Sequence, residues 1–409
     1  MRINESHPGR PILDAMKSLN LVSRLPRLML RGRSVLPILQ GGMGVGISAN
    51  RLASAVAREG AVGTIASVDL RHLHPDIMSR LKRCRDTLHL LTGNLEALDR
   101  EVRAARAAAG PEGFIAVNVM RALNHYGEFV RQACASGANA IVMGAGLPLD
   151  LPELTQGQDV ALIPILSEER GIEVLLRKWM RKGRLPDAII IEHPGEAGGH
   201  LGATRLTDVT DTRFDFRRVL KEAAAVIKRL GLSGERIPLI PAGGIGSFAR
   251  IQELLEWGAS AVQLGTAFAV TEECDAHPNF KTVLAQARTE DIVTFMSTAG
   301  LPARAVLTPW LKRYLARETL LKSRACEDRH GCASHLECLS HCGFKDGNPD
   351  AGQFCIETQL AAAVRGNVTQ GLFFRGTTVL PFGTEIRPVR DLLHYLLTGL
   401  KPVAPAMLA

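Results

Sequence analysis

The strongest constraint in this chain of 409 residues is a repeated alternation. A short, mostly apolar run is followed by a longer stretch of helical period, again and again. The runs are VLPILQ (35–40), VGTIAS (62–67), FIAVNVM (114–120) and AIVMGA (140–145), then VALIPIL (160–166), DAIIIEH (187–193), IPLIPAG (237–243) and AVQLGTAF (261–268). Near-continuous apolar runs suit strands buried on both faces, as in a parallel sheet covered by helices. Stretches such as ANRLASAVAREG and FARIQELLEWG lie between them, and the latter stops at Gly258, where a glycine ends a helix readily. Alternating units of this kind require right-handed crossovers. Eight of them in about 230 residues close into a barrel more readily than they spread into an open sheet. The fold class expected is α/β, a (β/α)8 TIM barrel.

The sequence divides into an arm over residues 1–34, a barrel with insertions over 35–310, and a mostly helical, cysteine-containing extension over 311–409. In the arm, Arg24, Arg27, Arg31 and Arg33 interleave with Leu21, Leu25, Leu28 and Leu30, which predicts an amphipathic helix across a barrel end. Helices are also expected over 73–109, 213–231, near 277–288 and in the AAAVRGN stretch. The long connections 67–114 and 193–237 each follow a strand's C-terminal end, where barrel enzymes build their sites. No apolar run approaches the roughly 18 residues needed to span a bilayer, and the N-terminus lacks a secretory pattern. The expected location is the cytoplasm. The net charge of +8 suits phosphorylated cofactors or an acidic carrier protein. No arginine-rich tract or aromatic-interleaved basic stripe marks a nucleic-acid surface, so none is expected.

Three glycine-rich stretches fall at strand ends. Gln40-Gly41-Gly42-Met43-Gly44-Val45-Gly46-Ile47-Ser48 lets backbone approach a ligand with no Cβ in the way. It lacks both G-x-G-x-x-G and the lysine of a nucleoside-triphosphate loop, and Ser48 is a candidate helix N-cap. Pro241-Ala242-Gly243-Gly244-Ile245-Gly246-Ser247 ends the seventh run, and Gly265-Thr266 ends the eighth. In barrels of this type, those two loops hold a phosphate. Gly244-Ile245-Gly246-Ser247-Phe248-Ala249 also satisfies a dinucleotide-binding fingerprint. That fold needs an acidic residue at the end of the next strand, where Gln263-Leu264-Gly265-Thr266 has none. Glu192-His193-Pro194-Gly195-Glu196-Ala197-Gly198-Gly199-His200 ends the sixth run. Histidine is the natural proton abstractor near neutral pH, and the glycines flanking His200 let its imidazole sit close over a flat ligand. Pro194 restricts the backbone at His193, which reads as a loop residue.

Together these stretches resemble the nitronate monooxygenase family, which includes related FMN-dependent enoyl-acyl-carrier-protein reductases. EAGGH (196–200), PAGGIGS (241–247), LGTAF (264–268) and STAGLPARAV (297–306) carry the resemblance, with NVM (118–120) and GAGLP (144–148) beside them. The resemblance implies FMN. It implies a phosphate on Gly243, Gly244, Gly265 and Thr266, and a flavin ring near Gly42, Met43, Asn118 and the loop Ala197, Gly198, Gly199 and His200. It implies His200 as the base that removes a proton beside a nitro group or orients a nitronate, with dioxygen reacting at the reduced flavin. One departure is clear. The glutamine–glycine pair common before EAGGH is replaced by Glu192-His193-Pro194-Gly195.

The function expected is oxidation of alkyl nitronates or nitroalkanes by an FMN-dependent oxidoreductase. The alternatives are an NAD(P)H-dependent enoyl-acyl-carrier-protein or quinone reductase on the same barrel, and a flavin-binding module that senses redox state or docks a partner. A homo-oligomer is compatible with all three. Beyond residue 320, Cys338-Leu339-Ser340-His341-Cys342, Gln353-Phe354-Cys355-Ile356 and Gly371-Leu372-Phe373-Phe374-Arg375-Gly376 resemble the extension of a longer subgroup. Cys332, Cys338, Cys342 and Cys355 form a candidate four-thiolate set for an iron–sulfur cluster or zinc, although their spacing matches no standard run.

Overall fold

The structure, a computed structural model, describes residues 23–402 except 24, 83, 85, 235–236, 329–331 and 333–337. It opens with β1 (Leu28–Leu30) and β2 (Arg33–Val35), an antiparallel pair. Then come β3 (Ile38–Gln40), β4 (Val62–Ala66), β5 (Phe114–Met120), β6 (Ala140–Gly144), β7 (Ala161–Leu166) and β8 (Ile189–Glu192). They are followed by β9 (Gly199–His200), β10 (Leu239–Ala242), β11 (Val262–Leu264), β12 (Ile292–Met296) and β13 (Pro302–Val306). Strands β3 to β8, β10 and β11 form one closed barrel. Parallel pairing of Val262 with Ile38 and of Leu264 with Gln40 joins the last strand to the first. Each barrel strand falls within one of the eight apolar runs, so the (β/α)8 class is observed.

Alternate residues of these strands face two different cores. Leu39, Val62, Ala116, Val142, Ile163, Ile190 and Ile240 fill the barrel interior. Ile38, Ile65, Val117, Ile141, Leu162, Ile189 and Val262 pack outward against the helices. This double burial is why the runs read as continuously apolar. Each fully buried side chain of this size contributes about 1.5–3 kcal/mol. Helix Asn50–Arg58 lies so close to β4 that a Cβ on Gly63 would be 1.9 Å from the Ala53 carbonyl oxygen.

The arm departs from expectation. Residues 1–22 and 24 lie outside the described residues, but Leu28–Val35 is a β-hairpin, not a helix. Leu28 and Leu30 are buried whereas Met29 is 42% exposed, a period of two. Arg31 (φ 45°) and Gly32 (φ 74°) both adopt left-handed conformations, which suits a two-residue hairpin turn. Leu28, Leu30 and Val35 join the interior core and plug the barrel's N-terminal end.

The long connections hold helices Pro75–Arg80, Thr87–Ala109 and Phe216–Arg229, where helical period was read. Helices Pro278–Gln286 and Ile356–Val364 likewise form in the stretches assigned to them. Strands β12 and β13 form a hairpin to which β9 adds as a third strand, His200 opposite Ala303 and Gly199 opposite Arg304. The glycine-rich loop after β8 is thereby fixed to an element about 100 residues later. Helix Val389–Thr398 buries Val389, Leu392, Leu393, Leu396 and Leu397. Arg71, on the connection after β4, pairs with Asp69 and with Glu357 of the C-terminal region, and all three are buried. Among the described residues, no helix is long and apolar enough to cross a membrane.

Ser48 does not cap helix Asn50–Arg58. Its hydroxyl instead accepts from the Met43 N–H at 2.8 Å. The cap comes from Asp275, after β11. One carboxylate oxygen accepts from Ala49 (2.9 Å) and Leu52 (3.1 Å), and the other from Arg51 (3.1 Å). Asp275→Ala should lower the unfolding free energy by about 1–3 kcal/mol, because three N–H groups lose their acceptor. The urea midpoint reads this directly, and an unchanged midpoint contradicts the cross-chain cap.

Candidate functional site

The C-terminal ends of the barrel strands surround a cavity of about 790 Å³, within the roughly 300–1,000 Å³ range of cofactor and ligand sites. Its wall is glycine-rich where the first βα loop turns. Met43 and Ser48 close that loop on each other through three hydrogen bonds, Met43 N–H to Ser48 Oγ (2.8 Å), and Ser48 N–H (3.1 Å) and Oγ–H (3.3 Å) to Met43 O. Val45 sits at φ 57°, a strained conformation for a β-branched residue. The loop thus presents Gly42, Met43 and Gly44 to the cavity. A Cβ on Gly42 would lie 2.4 Å from Asn118 Cβ, so Gly42 and Asn118 can share the wall only while residue 42 lacks a side chain.

His200 lines the cavity from β9. Its ring stands edge-on to Phe374, with centroids 5.5 Å apart. Burial pushes its pKa down to about 4, so the imidazole is neutral at physiological pH, the form that accepts a proton. Its Nε2 is buried and has no hydrogen-bond partner among the described residues. The same is true of Ser67 Oγ, Gln263 Oε1 and Glu357 Oε2, whose residues also line the cavity. Buried polar atoms are almost always satisfied, and these four belong to residues of the cavity wall. Gln263 could have been found in sequence as the one polar side chain inside the apolar run of β11. Ser67 and Glu357 carried no local signal.

Of the residues read from sequence, Gly42, Met43, Asn118, Gly198, Gly199, His200, Gly265 and Thr266 line the cavity. Ala197, Gly243 and Gly244 stand behind the wall. A Cβ on Gly243 would lie 3.1 Å from Ala197 N, and one on Gly244 would lie 2.7 Å from Glu196 Oε2. The Glu196 carboxylate accepts a hydrogen bond from the Thr377 hydroxyl. Neither Gly243 nor Gly244 donates a backbone hydrogen bond among the described residues. His193 lies outside the cavity wall, edge-on to Phe216 and 3.8 Å from Asp215.

The C-terminal region closes the same corner. The Gly376 N–H donates to Thr266 Oγ1 at 3.1 Å, and a Cβ on Gly198 would be 2.4 Å from the Arg375 carbonyl carbon and the Gly376 nitrogen. Arg375 is buried and lines the cavity. Its guanidinium donates to the carbonyls of Leu284 (2.9 Å) and Gly376 (3.2 Å). It meets no carboxylate among the described residues, and burial lowers its pKa. A buried cation without a counter-ion is costly and favours an anionic ligand. Sequence reading recorded the residues around Arg375 but gave that side chain no role.

The cysteines are free thiols. Cys338 lines the cavity, and burial, then Asp69, Glu357, Cys342 and Cys355, push its pKa up. Burial also raises Cys342 and Cys355, favouring neutral thiols over the thiolates that metals need. Among the described residues, no group of three or more His, Cys, Asp or Glu side chains is placed to hold a metal ion. The set Cys332, Cys338, Cys342 and Cys355 therefore gains no support from the geometry, and residues 333–337 lie outside the described residues.

The comparisons with known proteins agree with this geometry. The family model for nitronate monooxygenase matches residues 30–399. The chain is 25% identical to the probable nitronate monooxygenase of Bacillus subtilis over 305 residues, covering 69% of this chain and 80% of that protein. It is 36% identical to the nitronate monooxygenase of Pseudomonas aeruginosa over 187 residues, 36% of this chain and 48% of that one. The fold is similar to that of FabK from Thermotoga maritima, with a TM-score of 0.62, 22% identity, and 88% and 91% of the two chains covered. It is also similar to that of nitroalkane oxidase from Streptomyces ansochromogenes, with a TM-score of 0.60, 18% identity, and 88% and 94% covered. With the family model spanning nearly all of the barrel and its C-terminal cover, the chain belongs to the nitronate monooxygenase family and is an oxidoreductase.

Proposed function

We propose that the cavity holds FMN and that the protein oxidises small alkyl nitronates or nitroalkanes with dioxygen, with His200 as the base. The observation that carries this reading is a neutral His200 on the wall of a glycine-walled cavity, its Nε2 buried and without a partner among the described residues. The residues present fit the cofactor. Gly42, Met43, Asn118 and the Gly198–Gly199 backbone offer a flat, side-chain-poor wall for a ring system. Gln263 Oε1 is buried without a partner among the described residues. Gly265, Thr266 and the uncompensated Arg375 gather where an anionic phosphate would be favoured. The Glu196 carboxylate lies beside Gly244, while the N–H groups of Gly243 and Gly244 donate no backbone hydrogen bond among the described residues and remain candidates for the phosphate with Gly265 and Thr266.

Bound FMN would supply the electron acceptor for substrate oxidation and the route to dioxygen. His200 does the proton work. Neutral at working pH, its Nε2 can take the acidic proton beside a nitro group, or donate to a nitronate once protonated. Phe374 holds the imidazole edge-on, and the pairing of β9 with β13 fixes its backbone. The apolar surround of Met43, Leu166, Leu201 and Phe374 suits a short alkyl chain and excludes water.

Two experiments test the reading. Mixed anaerobically, propyl-2-nitronate should bleach the flavin, and NADH or NADPH should not. Bleaching by the pyridine nucleotide alone would replace the proposal with a reductase on the same barrel. His200→Ala should cost about 10²–10⁴-fold in kcat/KM on a nitroalkane while the flavin content stays constant. Unchanged turnover removes His200 from the chemistry.

A further inference from the structure

The mechanism above leaves titratable side chains of the cavity unused, Glu192 among them. Glu192 ends β8, and its residue lines the cavity with Ser167, His200 and Gly202. A carboxylate oxygen lies 3.8 Å from where a Cβ on Gly202 would stand. The Gly202 N–H, two residues beyond His200, lies near enough to this carboxyl to lower its pKa. Arg304 of β13 lowers the pKa of this carboxyl, yet its Nη1 is committed to the carbonyls of Pro194 (3.0 Å) and Ala197 (2.5 Å). No salt bridge to Glu192 forms among the described residues.

We propose that the Glu192 carboxyl is a catalytic hydrogen-bond donor to the substrate oxygen on which charge develops. The site is then built for compounds whose reacting carbon is conjugated to a nitro or carbonyl group. This rests on the functional reading above and assigns the second polar partner that reading lacks. Burial outweighs both the Gly202 N–H and Arg304 and pushes the Glu192 pKa up to about 7. A sizeable protonated fraction is therefore present at neutral pH, and a neutral acid can donate where a carboxylate cannot. When His200 Nε2 takes the proton from the substrate carbon, the C–H bond breaks and its electron pair moves onto the conjugated oxygens. Glu192 keeps its own proton and hydrogen-bonds to that oxygen, in the manner of an oxyanion hole.

The pH dependence follows in sign. Below about 7 the acid donates, and above it a carboxylate repels an anionic oxygen. The other charged groups facing this region do not mimic the transition. His200 titrates at about 4. Burial holds His193 below its usual value. Arg304 of β13, Arg170 on the helix after β7, Glu196 on the same loop and Glu168 after β7 are the other charged groups near Glu192.

Isobutyrate, which has the heavy-atom skeleton of propyl-2-nitronate but no reactive nitro group, is a suitable probe. Its affinity for the holoenzyme, read by calorimetry, should be about tenfold weaker at about pH 8 than at about pH 6. Glu192→Gln keeps a donor and should bind about equally at both pH values. Glu192→Leu keeps no donor and should bind weakly at both. An infrared carboxylic-acid band that vanishes with a midpoint near 7 in the wild type, and is absent from Glu192→Gln, would place the proton on this residue. A pH-independent affinity in the wild type, or the same pH dependence in Glu192→Gln, overturns the proposal and leaves nitronate turnover standing. Loss of nitronate turnover in the wild type itself would instead strike the functional reading.

Discussion

Parallel pairing of β11 with β3 closes the sheet, and that closure puts the C-terminal ends of eight strands on one ring. The glycine loop after β3, Asn118 of β5, Glu192 of β8 and Gln263 of β11 are far apart in sequence and meet only because the ring is closed. With the hairpin of β1 and β2 filling the opposite end of the barrel, the open space lies at the C-terminal mouth, where barrel enzymes carry their chemistry.

The mouth is finished by parts of the chain that are not barrel. β9 is pinned by β13, so His200 stands on a strand of a three-stranded sheet and not on a loose loop. The turn at Phe374–Thr377 lies on Gly198 and Thr266, and Glu357 reaches back to Arg71. Burial then decides the electrostatics of the cavity. It keeps the His200 imidazole neutral and pushes the Glu192 carboxyl up to about 7. It leaves Arg375 as a cation lacking a carboxylate partner among the described residues. Two groups of one cavity pushed in opposite directions are the usual mark of divided acid and base roles.

The sequence made the barrel legible because strands buried on both faces leave runs that nothing else in a globular chain resembles. The glycine stretches were legible too, since they fall directly after those runs, and most of the residues read from them do reach the cavity. What was hidden depended on long-range contacts. Leucines at 21, 25 and 28 fit a helix as well as a strand, and the turn at Arg31–Gly32 decides the matter for Leu28–Val35. Ser48 has the right chemistry for a helix cap, but Asp275, more than 200 residues away, takes the place. Arg375 and Glu357 come to the cavity through packing of the C-terminal region, which leaves no periodic trace. The spacing of Cys332, Cys338, Cys342 and Cys355 suggested a metal set that the described residues do not form.

The central claim is that this closed ring of strand ends grips a flavin mononucleotide. The purified protein, saturated with added FMN and freed of excess, should be precipitated with acid and the released chromophore identified by mass and phosphorus content. The account predicts a yellow protein that releases FMN in a one-to-one ratio to chain. A colourless protein that retains no flavin, or one that releases a dinucleotide in its place, would contradict it.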